Sequence, residues 1–242
     1  MSDMSSPNNA RTDSRTVETN QQGLHERLEA IVAKHLAGPF RKPYHDATLE
    51  AFYRVKAAWQ ADGRPLILDS CCGVGESTVN LAERHPDGFV VGLDKSGCRI
   101  DKHDSYRREA DNYLLARVDL NDFWRLAVAD GWRPAYHYIL YPNPWPKATH
   151  IKRRWHGAAV FPYLLMLGGQ LQLRSNFPLY LQEFQQALAV AGLQAEYSPL
   201  NFDGRDMTPF ERKYRLSGQP LFRLDADLNG FSLPWQAGLQ LP

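Results

Sequence analysis

The segment 141–156, YPNPWPKATHIKRRWH, contains most of the side chains in this sequence that could do chemistry. Three prolines alternate with Asn143 and Trp145, and each proline fixes its own φ and restricts the residue before it. We therefore expect a stiff loop that holds an amide and an indole in place. The basic residues that follow are Lys147, His150, Lys152, Arg153, Arg154 and His156. Such a cluster predicts contact with a phosphate backbone.

A second group of polar residues surrounds the glycine-containing turn DSCCGVG. Gly73 and Gly75 allow the backbone to approach a ligand closely, and the helix expected after them offers free N–H groups. Asp69 precedes the turn, while Asp94 and Asp119 end the second and third predicted strands. Because parallel strands end at the same edge of a sheet, we expect the three carboxylates in one crevice. This arrangement predicts a nucleotide-type binding site.

The acidic crevice favours a cationic cofactor over a dinucleotide. A dinucleotide turn has a third small residue after Gly75, where Thr78 stands, and an acidic residue before the glycines would repel a pyrophosphate. S-adenosylmethionine carries a sulfonium and an ammonium group, which suit this crevice. The cysteines at 71, 72 and 98 lack metal-ligand spacing, so we expect S-adenosylmethionine as the cofactor and no metal.

Strands and helices alternate along most of the chain. Apolar runs predict strands at 65–69, 88–94, 114–118, 136–141 and 170–173, with two more candidates at 194–197 and 220–224. Helical patterns fall between the strands at 77–84, 123–128, 164–167 and 179–191. The alternation predicts an α/β fold with a doubly wound, mostly parallel, seven-stranded sheet.

Three regions are predicted along the chain. Residues 1–22 are polar and lack apolar periodicity, which predicts a disordered tail. Residues 23–60 carry two amphipathic patterns separated by Gly38 and Pro39, and predict an N-terminal helical segment packed on the main domain. Residues 61–242 contain the α/β pattern and form the predicted main domain.

The composition narrows the functional class. The formal net charge is only +1, so attraction to a polyanion has to come from local clusters. No apolar run approaches the roughly 18 residues of a membrane span, and no apolar signal core is present at the N-terminus. The odd number of cysteines, three, is typical of reduced thiols. We expect a cytoplasmic protein without a membrane segment, either a monomer or a homodimer.

At this point the chain resembles the tRNA (guanine-N7)-methyltransferase family, over residues 66–224. The most specific match is YPNPWPK at 141–147 with the basic cluster after it, and a second match is TPFE at 208–211. The resemblance implies a Rossmann-like class I fold, S-adenosylmethionine as methyl donor and tRNA as partner. It assigns cofactor binding to Asp69, Gly73, Gly75, Asp94 and Asp119. It assigns substrate contacts to Lys147, Thr208 and Glu211.

The sequence departs from the family pattern at three positions. Asn143 stands where the family has Asp in Pro-Asp-Pro-Trp, Asn176 stands where it has Asp after the fifth strand, and Cys71 replaces a glycine of the cofactor turn. We expect Asn143 to be the catalytic residue that orients the base through its amide, and Asn176 to contact the substrate. Glu211 is expected to accept hydrogen bonds from the guanine edge.

Several alternatives remain open at this stage. Transfer to an exocyclic amine would also use an asparagine between prolines, and a catalytically weak RNA-binding relative would keep only the basic cluster. Glu211 could instead form a surface salt bridge with Arg212 or Lys213. Trp145 could cap the core instead of stacking on a base. We expect the RNA phosphates to be bound by Lys152, Arg153 and Arg154.

Overall fold

The computed structural model describes residues 14–242, and its centre is a seven-stranded sheet. The strands are β1 (Leu66–Ser70), β2 (Phe89–Asp94), β3 (Tyr113–Arg117), β4 (Tyr136–Leu140), β5 (Gln170–Ser175), β6 (Glu196–Pro199) and β7 (Phe222–Asp227). Their order is β3-β2-β1-β4-β5-β7-β6, and only the pairs that involve β7 are antiparallel. The predicted α/β fold with a mostly parallel sheet is therefore confirmed.

Eight α-helices accompany the sheet within residues 14–242. They are α1 (Leu28–Leu36), α2 (Asp46–Asp62), α3 (Glu76–Arg84), α4 (Gly97–Ile100), α5 (Leu120–Ala129), α6 (Phe161–Met166), α7 (Pro178–Val190) and α8 (Pro209–Leu216). Every residue of β1 and β2 is buried, because helices cover both faces of the sheet. None of these described helices is long and apolar enough to cross a membrane.

Sequence periodicity did not predict helix α8, but its start is encoded locally. Thr208 is the N-cap residue, and its hydroxyl accepts a hydrogen bond from the Glu211 backbone N–H at 2.9 Å. Pro209 occupies the first turn, where its missing N–H is not needed. The Thr-Pro-x-Glu pattern was thus a helix-start signal, while the helix itself has only eight residues, half of them charged, which is too short for a periodic pattern to stand out.

The N-terminal helices share the core of the main domain. Phe52 of α2 stacks on Trp132 with ring centroids 5.0 Å apart and packs edge-on against Phe123 of α5. The Arg125 guanidinium lies 4.1 Å from the centroid of the Tyr44 ring. Buried residues of α1 and α2 belong to the same apolar cluster as those of the sheet. These contacts fix α2 against α5, while α1 packs against α6 and α7.

Residues 14–22, here called the N-terminal strap, form neither helix nor strand but contact the main domain. The Thr19 hydroxyl donates to the Pro146 carbonyl at 2.5 Å, and the Asn20 side-chain oxygen accepts from the Ala148 N–H at 3.0 Å. The predicted disordered tail, 1–22, therefore includes a segment that the structure holds by polar contacts. Such contacts leave no apolar pattern in the sequence. Residues 1–13 lie outside the described residues.

Candidate active site

A cavity of about 630 Å³ opens at the carboxyl edge of the sheet. The strand order reverses between β1 and β4, and an open α/β sheet forms its ligand crevice at such a point. The walls come from the turn after β1, the ends of β2 and β3, the loop after β4 and the start of α8. The lining includes residues 71–74, 94–96, 119–121, 140–143 and 208–210. Its volume is suitable for a cofactor together with part of a substrate.

The turn after β1 brings backbone to the cavity wall. Gly73 lines the cavity with φ of 61°, and a Cβ added there would meet open space. Gly75 does not line the cavity, and a Cβ there would lie 2.6 Å from His103 Nδ1 and 2.9 Å from Leu115. Gly73 therefore leaves room for a ligand, while Gly75 permits packing beneath the turn. Cys71 also has a positive φ, 69°, although it is not glycine.

Asp94 is the carboxylate that most clearly faces the cavity. It lies at the end of β2, and its Oδ2 accepts a hydrogen bond from the Gly73 N–H at 3.0 Å. Its Oδ1 accepts from the Ser96 N–H at 2.8 Å, and the Arg99 guanidinium is 3.6 Å away. The side chain is thus held rigidly between two loops that both line the cavity. Lone pairs on both oxygens remain for ligand hydroxyl groups.

Asp119 forms the next part of the wall and begins α5 as its N-cap residue. Its Oδ1 accepts from the Asn121 N–H at 3.0 Å, and its Oδ2 pairs with Lys95 Nζ at 2.9 Å. Burial alone would raise the pKa of Asp119, but the hydrogen bonds from Lys95 and Asn121 outweigh it and lower the pKa below its ordinary value. Asp119 is therefore ionised at neutral pH.

Asp69 lies beneath the cavity and is not part of its lining. Its Oδ2 accepts hydrogen bonds from the hydroxyl groups of Ser77 and Thr78, each at 2.7 Å. Its Oδ1 is buried without a hydrogen-bond partner among residues 14–242. Burial raises the pKa of Asp69 to about 6, against the two hydroxyl hydrogen bonds, and neighbouring Asp94 raises it further. Asp69 therefore acts on the cavity through charge.

The loop after β4, residues 141–147, is here called the proline loop. Tyr141 and Trp145 have positive φ angles of 53° and 44°, in a region that non-glycine residues rarely occupy. The Asn143 side-chain oxygen accepts from the Trp145 N–H at 3.2 Å, which closes a tight turn. Asn143 itself is exposed and lines the cavity. The loop thus presents the Asn143 amide to the cavity. Its backbone is strained at Tyr141 and Trp145 and is held by the hydrogen bond between Asn143 and Trp145.

Trp145 is part of the cavity wall and is half-buried. The Arg153 guanidinium lies 4.7 Å from the centroid of its ring, and the His150 ring meets it edge-on at 5.5 Å. Trp145 belongs to neither apolar core cluster of the described residues. The alternative that it caps the core is therefore wrong for this structure.

The basic residues after the proline loop separate into two groups. Lys152 and Arg153 line the cavity, and Lys147 is exposed but lies outside the lining. Arg154 is fully buried and pairs with Glu183 of α7. The prediction that Arg154 binds RNA phosphate is corrected by this burial, because its guanidinium cannot reach a phosphate from there. Neighbouring residues of a tight turn point in different directions, which a run of sequence letters does not show.

The second predicted substrate segment is only partly at the cavity. Thr208 lines it, but Glu211 is buried outside the lining, with its oxygens 3.0 and 3.1 Å from Arg174 Nη1. The predicted hydrogen bonds from a guanine edge to Glu211 are therefore not supported, and the salt-bridge partner of Glu211 is Arg174 instead of Arg212 or Lys213. Asn176 also lies outside the lining.

The lining contains residues that sequence reasoning missed. Phe210 is the clearest, being 44% exposed at the start of α8. Tyr106 lines the cavity from the region after β2. Phe210 could have been found, because it lies inside the TPFE match. Tyr106 lies in a polar stretch without a pattern of its own.

Comparison with known proteins agrees with this arrangement. A family model described as "Putative methyltransferase" matches residues 63–224, which covers the sheet from before β1 into β7. The chain belongs to this methyltransferase family. The cavity at the switch point is accordingly the candidate active site of a methyltransferase, and the predicted resemblance to methyltransferases is confirmed.

Curated relatives and solved structures extend the comparison. A tRNA (guanine-N(7)-)-methyltransferase from Bacillus licheniformis is 26% identical over 185 residues, covering 71% of this chain and 86% of the relative. One from Leifsonia xyli is 29% identical over 168 residues, covering 63% and 71%. The crystal structure of the 16S rRNA methyltransferase KamB aligns with a TM-score of 0.52 at 15% identity, covering 77% of this chain and 95% of that one. The last likeness concerns the fold alone.

Proposed function

We propose that this protein is an S-adenosylmethionine-dependent methyltransferase that acts on N7 of a guanine in tRNA. The observation that carries the proposal is that Asp94 and Asn143 line one cavity. A carboxylate suited to a cofactor and an amide suited to an acceptor base therefore share one cavity. The names of the relatives support guanine N7 and tRNA as the acceptor. We also expect a cytoplasmic location. For the oligomeric state we predict a monomer or a homodimer.

The residues of the cavity fit S-adenosylmethionine. Gly73 leaves open space at the wall, and Asp94 offers acceptor lone pairs for ribose hydroxyl groups. The ionised Asp119 and the unpartnered Oδ1 of Asp69 add negative charge on the same side. This charge suits a ligand with two cationic groups. When bound, the cofactor supplies a methyl group on a positively charged sulfur.

The remaining residues position the acceptor base. Guanine N7 carries a free lone pair, so no proton has to leave before attack, and alignment is the main requirement. The Asn143 amide can hold the base, and Trp145 and Phe210 offer ring surfaces beside it. Lys152 and Arg153 lie where they can bind the adjoining phosphates. Alignment of this kind is worth about 7–11 kcal/mol in well-oriented reactions.

The direct test is to incubate the purified protein with labelled S-adenosylmethionine and total tRNA, and then to map the modified nucleoside. An N7-methylguanosine product is cationic and alkali-labile, which identifies it chemically. A methylated exocyclic amine would instead favour the alternative enzyme, whose asparagine holds the amino group. Binding of tRNA without any transfer would favour the catalytically weak relative. Failure to bind the cofactor at all would contradict the proposal.

Replacing Lys152 and Arg153 together with alanine is expected to weaken tRNA binding and to reduce its salt dependence. The slope of log K against log [salt] is negative, and each lost phosphate contact reduces its magnitude by roughly 0.7–0.9. Filter binding at several salt concentrations measures the slope. Arg133→Ala is the matched control, because Arg133 is exposed just before β4, at the opposite edge of the sheet. Equal slopes for the double variant and the wild type would contradict this assignment.

Cofactor binding is expected to strengthen as the pH rises from about 5 to about 7. Burial raises the pKa of Asp69 to about 6, so that below this pH Asp69 is protonated and does not attract a cation. Binding of a cationic ligand favours the ionised form, and affinity therefore increases as the proton leaves. Calorimetry with S-adenosylhomocysteine, which keeps the ammonium group, measures this trend. In Asp69→Asn the trend should become flatter.

A further inference from the structure

The buried side chain of Arg154 donates hydrogen bonds to the backbone of the proline loop. Its Nε donates to the Trp145 carbonyl at 3.1 Å, and its Nη2 donates to the Lys147 carbonyl at 3.3 Å. Trp145 is also one of the two loop residues with a positive φ. Arg154 therefore fixes the loop backbone at Trp145, the strained residue two positions after Asn143.

Glu183 of α7 fixes the orientation of Arg154. Glu183 is fully buried, and its Oε2 pairs with the Arg154 guanidinium and with His156 Nε2 at 3.0 Å. Burial opposes ionisation of Glu183, but the contacts with His156, Gln21 and Arg154 prevail and lower its pKa to about 2. Burial lowers the pKa of His156, so that it stays neutral and donates to Glu183. The pair is thus an ionised Arg–Glu pair without solvent.

The N-terminal strap completes this buried group. The Gln21 side-chain oxygen accepts from Arg154 Nη2 at 3.2 Å, and its amide nitrogen donates to Glu183 Oε1 at 2.5 Å. The same Oε1 accepts from the His25 N–H at 2.9 Å. One amide therefore bonds both members of the ion pair. The neighbouring Thr19 donates to the Pro146 carbonyl of the proline loop at 2.5 Å, and Asn20 accepts from the N–H of Ala148, directly after the loop, at 3.0 Å.

We propose that Gln21, Arg154 and Glu183 are positioning residues for methyl transfer, through which the N-terminal strap fixes the proline loop and its Asn143 amide. The proposal rests on the proposed function. A buried ion pair contributes little to stability compared with apolar side chains of similar volume, so stability alone is a weak reason for it. The geometry of the pair instead indicates a role in holding the loop. The Arg154 N–H groups that do not bond Glu183 donate to loop carbonyls or to Gln21 of the strap.

The sharpest test compares Gln21→Ala with Gln22→Ala. Gln21 is only half-buried, so its replacement leaves the apolar core intact, and the adjacent Gln22 is exposed and serves as the control. We expect Gln21→Ala to increase amide hydrogen exchange in a peptide covering 141–150 by about 10-fold. With tRNA, kcat should fall about 10-fold, since small misplacement of reacting groups has effects of this size. Affinity for S-adenosylhomocysteine should stay within about twofold, and Gln22→Ala should match the wild type in all three measurements.

A second pair of variants separates positioning from folding. Arg154→Ala should lose kcat, and added guanidinium at low concentration should restore part of it if the variant keeps its fold and cofactor affinity. Arg154→Lys keeps the charge but loses the forked donors, and should restore less than half of the loss. Wild-type loop exchange and wild-type kcat in Gln21→Ala would overturn the proposal. If the wild type itself transfers no methyl group to tRNA, the proposed function fails, and loop exchange alone then decides whether the strap holds the loop.

Discussion

Replacing Asp94 with alanine is expected to lower the affinity for S-adenosylmethionine by about 100-fold or more. The Asp94 carboxylate accepts hydrogen bonds from the Gly73 and Ser96 N–H groups and faces the cavity. Its removal leaves two backbone donors unpaired and takes away the acceptor for the ribose. Hydrogen bonds to charged groups contribute about 1.5–3 kcal/mol each, so losing two bonds from the ribose hydroxyl groups gives an effect of this size.

Calorimetry with S-adenosylmethionine and S-adenosylhomocysteine measures the loss. Asp111→Ala is the control, because the side chain of Asp111 is 92% exposed and its Oδ1 forms a weak ion pair with Arg64 Nη1 at 3.4 Å. The cofactor affinity of Asp94→Asn should lie between those of Asp94→Ala and Asp111→Ala, since the amide oxygen can still accept one hydrogen bond while the charge is lost. Near wild-type affinity in Asp94→Ala would mean that the cofactor binds elsewhere, and the proposed function would then lose its main support.

Replacing Asn143 with aspartate is expected to raise kcat for methyl transfer by about 10-fold. The guanine becomes cationic as the bond to N7 forms, and a carboxylate beside it stabilises that charge, whereas an amide does not. The aspartate oxygen can still accept from the Trp145 N–H, so the turn is kept. Lys152 and Arg153 line the same cavity and make a new negative charge tolerable. A tenfold gain corresponds to about 1.4 kcal/mol.

The matched control is Asn176→Asp, which makes the same chemical change outside the cavity. Asn176 Nδ2 donates to the Gln219 side-chain oxygen at 2.8 Å, and the residue is absent from the cavity lining. We expect no gain in kcat from this variant. The two variants are compared by their single-turnover rates of methyl transfer at saturating tRNA. A gain from Asn176→Asp alone would show that the acceptor lies nearer the end of β5 than the cavity indicates.

The two asparagines illustrate how far sequence comparison reaches. Both stand at positions where the resemblance implies a carboxylate, and the sequence predicts a catalytic role for Asn143 and a substrate contact for Asn176. The structure ranks them, because only Asn143 lines the cavity. Glu211 is a similar case, since its match to TPFE is clear while its carboxylate is occupied by Arg174. A sequence motif therefore locates a segment near the site. The direction in which each of its side chains points depends on the residues that pack against that segment.

The sequence by itself determined the architecture and the cofactor side of the site. Alternating apolar runs and helical patterns are local properties, and parallel strands necessarily end at one edge, which brings Asp94 and Asp119 to the same crevice. The prolines likewise restrict the loop backbone locally, because each fixes its own φ.

Only the tertiary structure decided the partners of the charged and polar side chains. Arg154, Glu183 and Gln21 are far apart in sequence and carry no shared pattern, yet they meet in one buried group. Lys152, Arg153 and Arg154 are consecutive cations, and two of them line the cavity while the third is buried. The reason is physical: hydrophobic periodicity follows from burial along one element, but an ion pair forms between whichever groups the packing of several elements brings together.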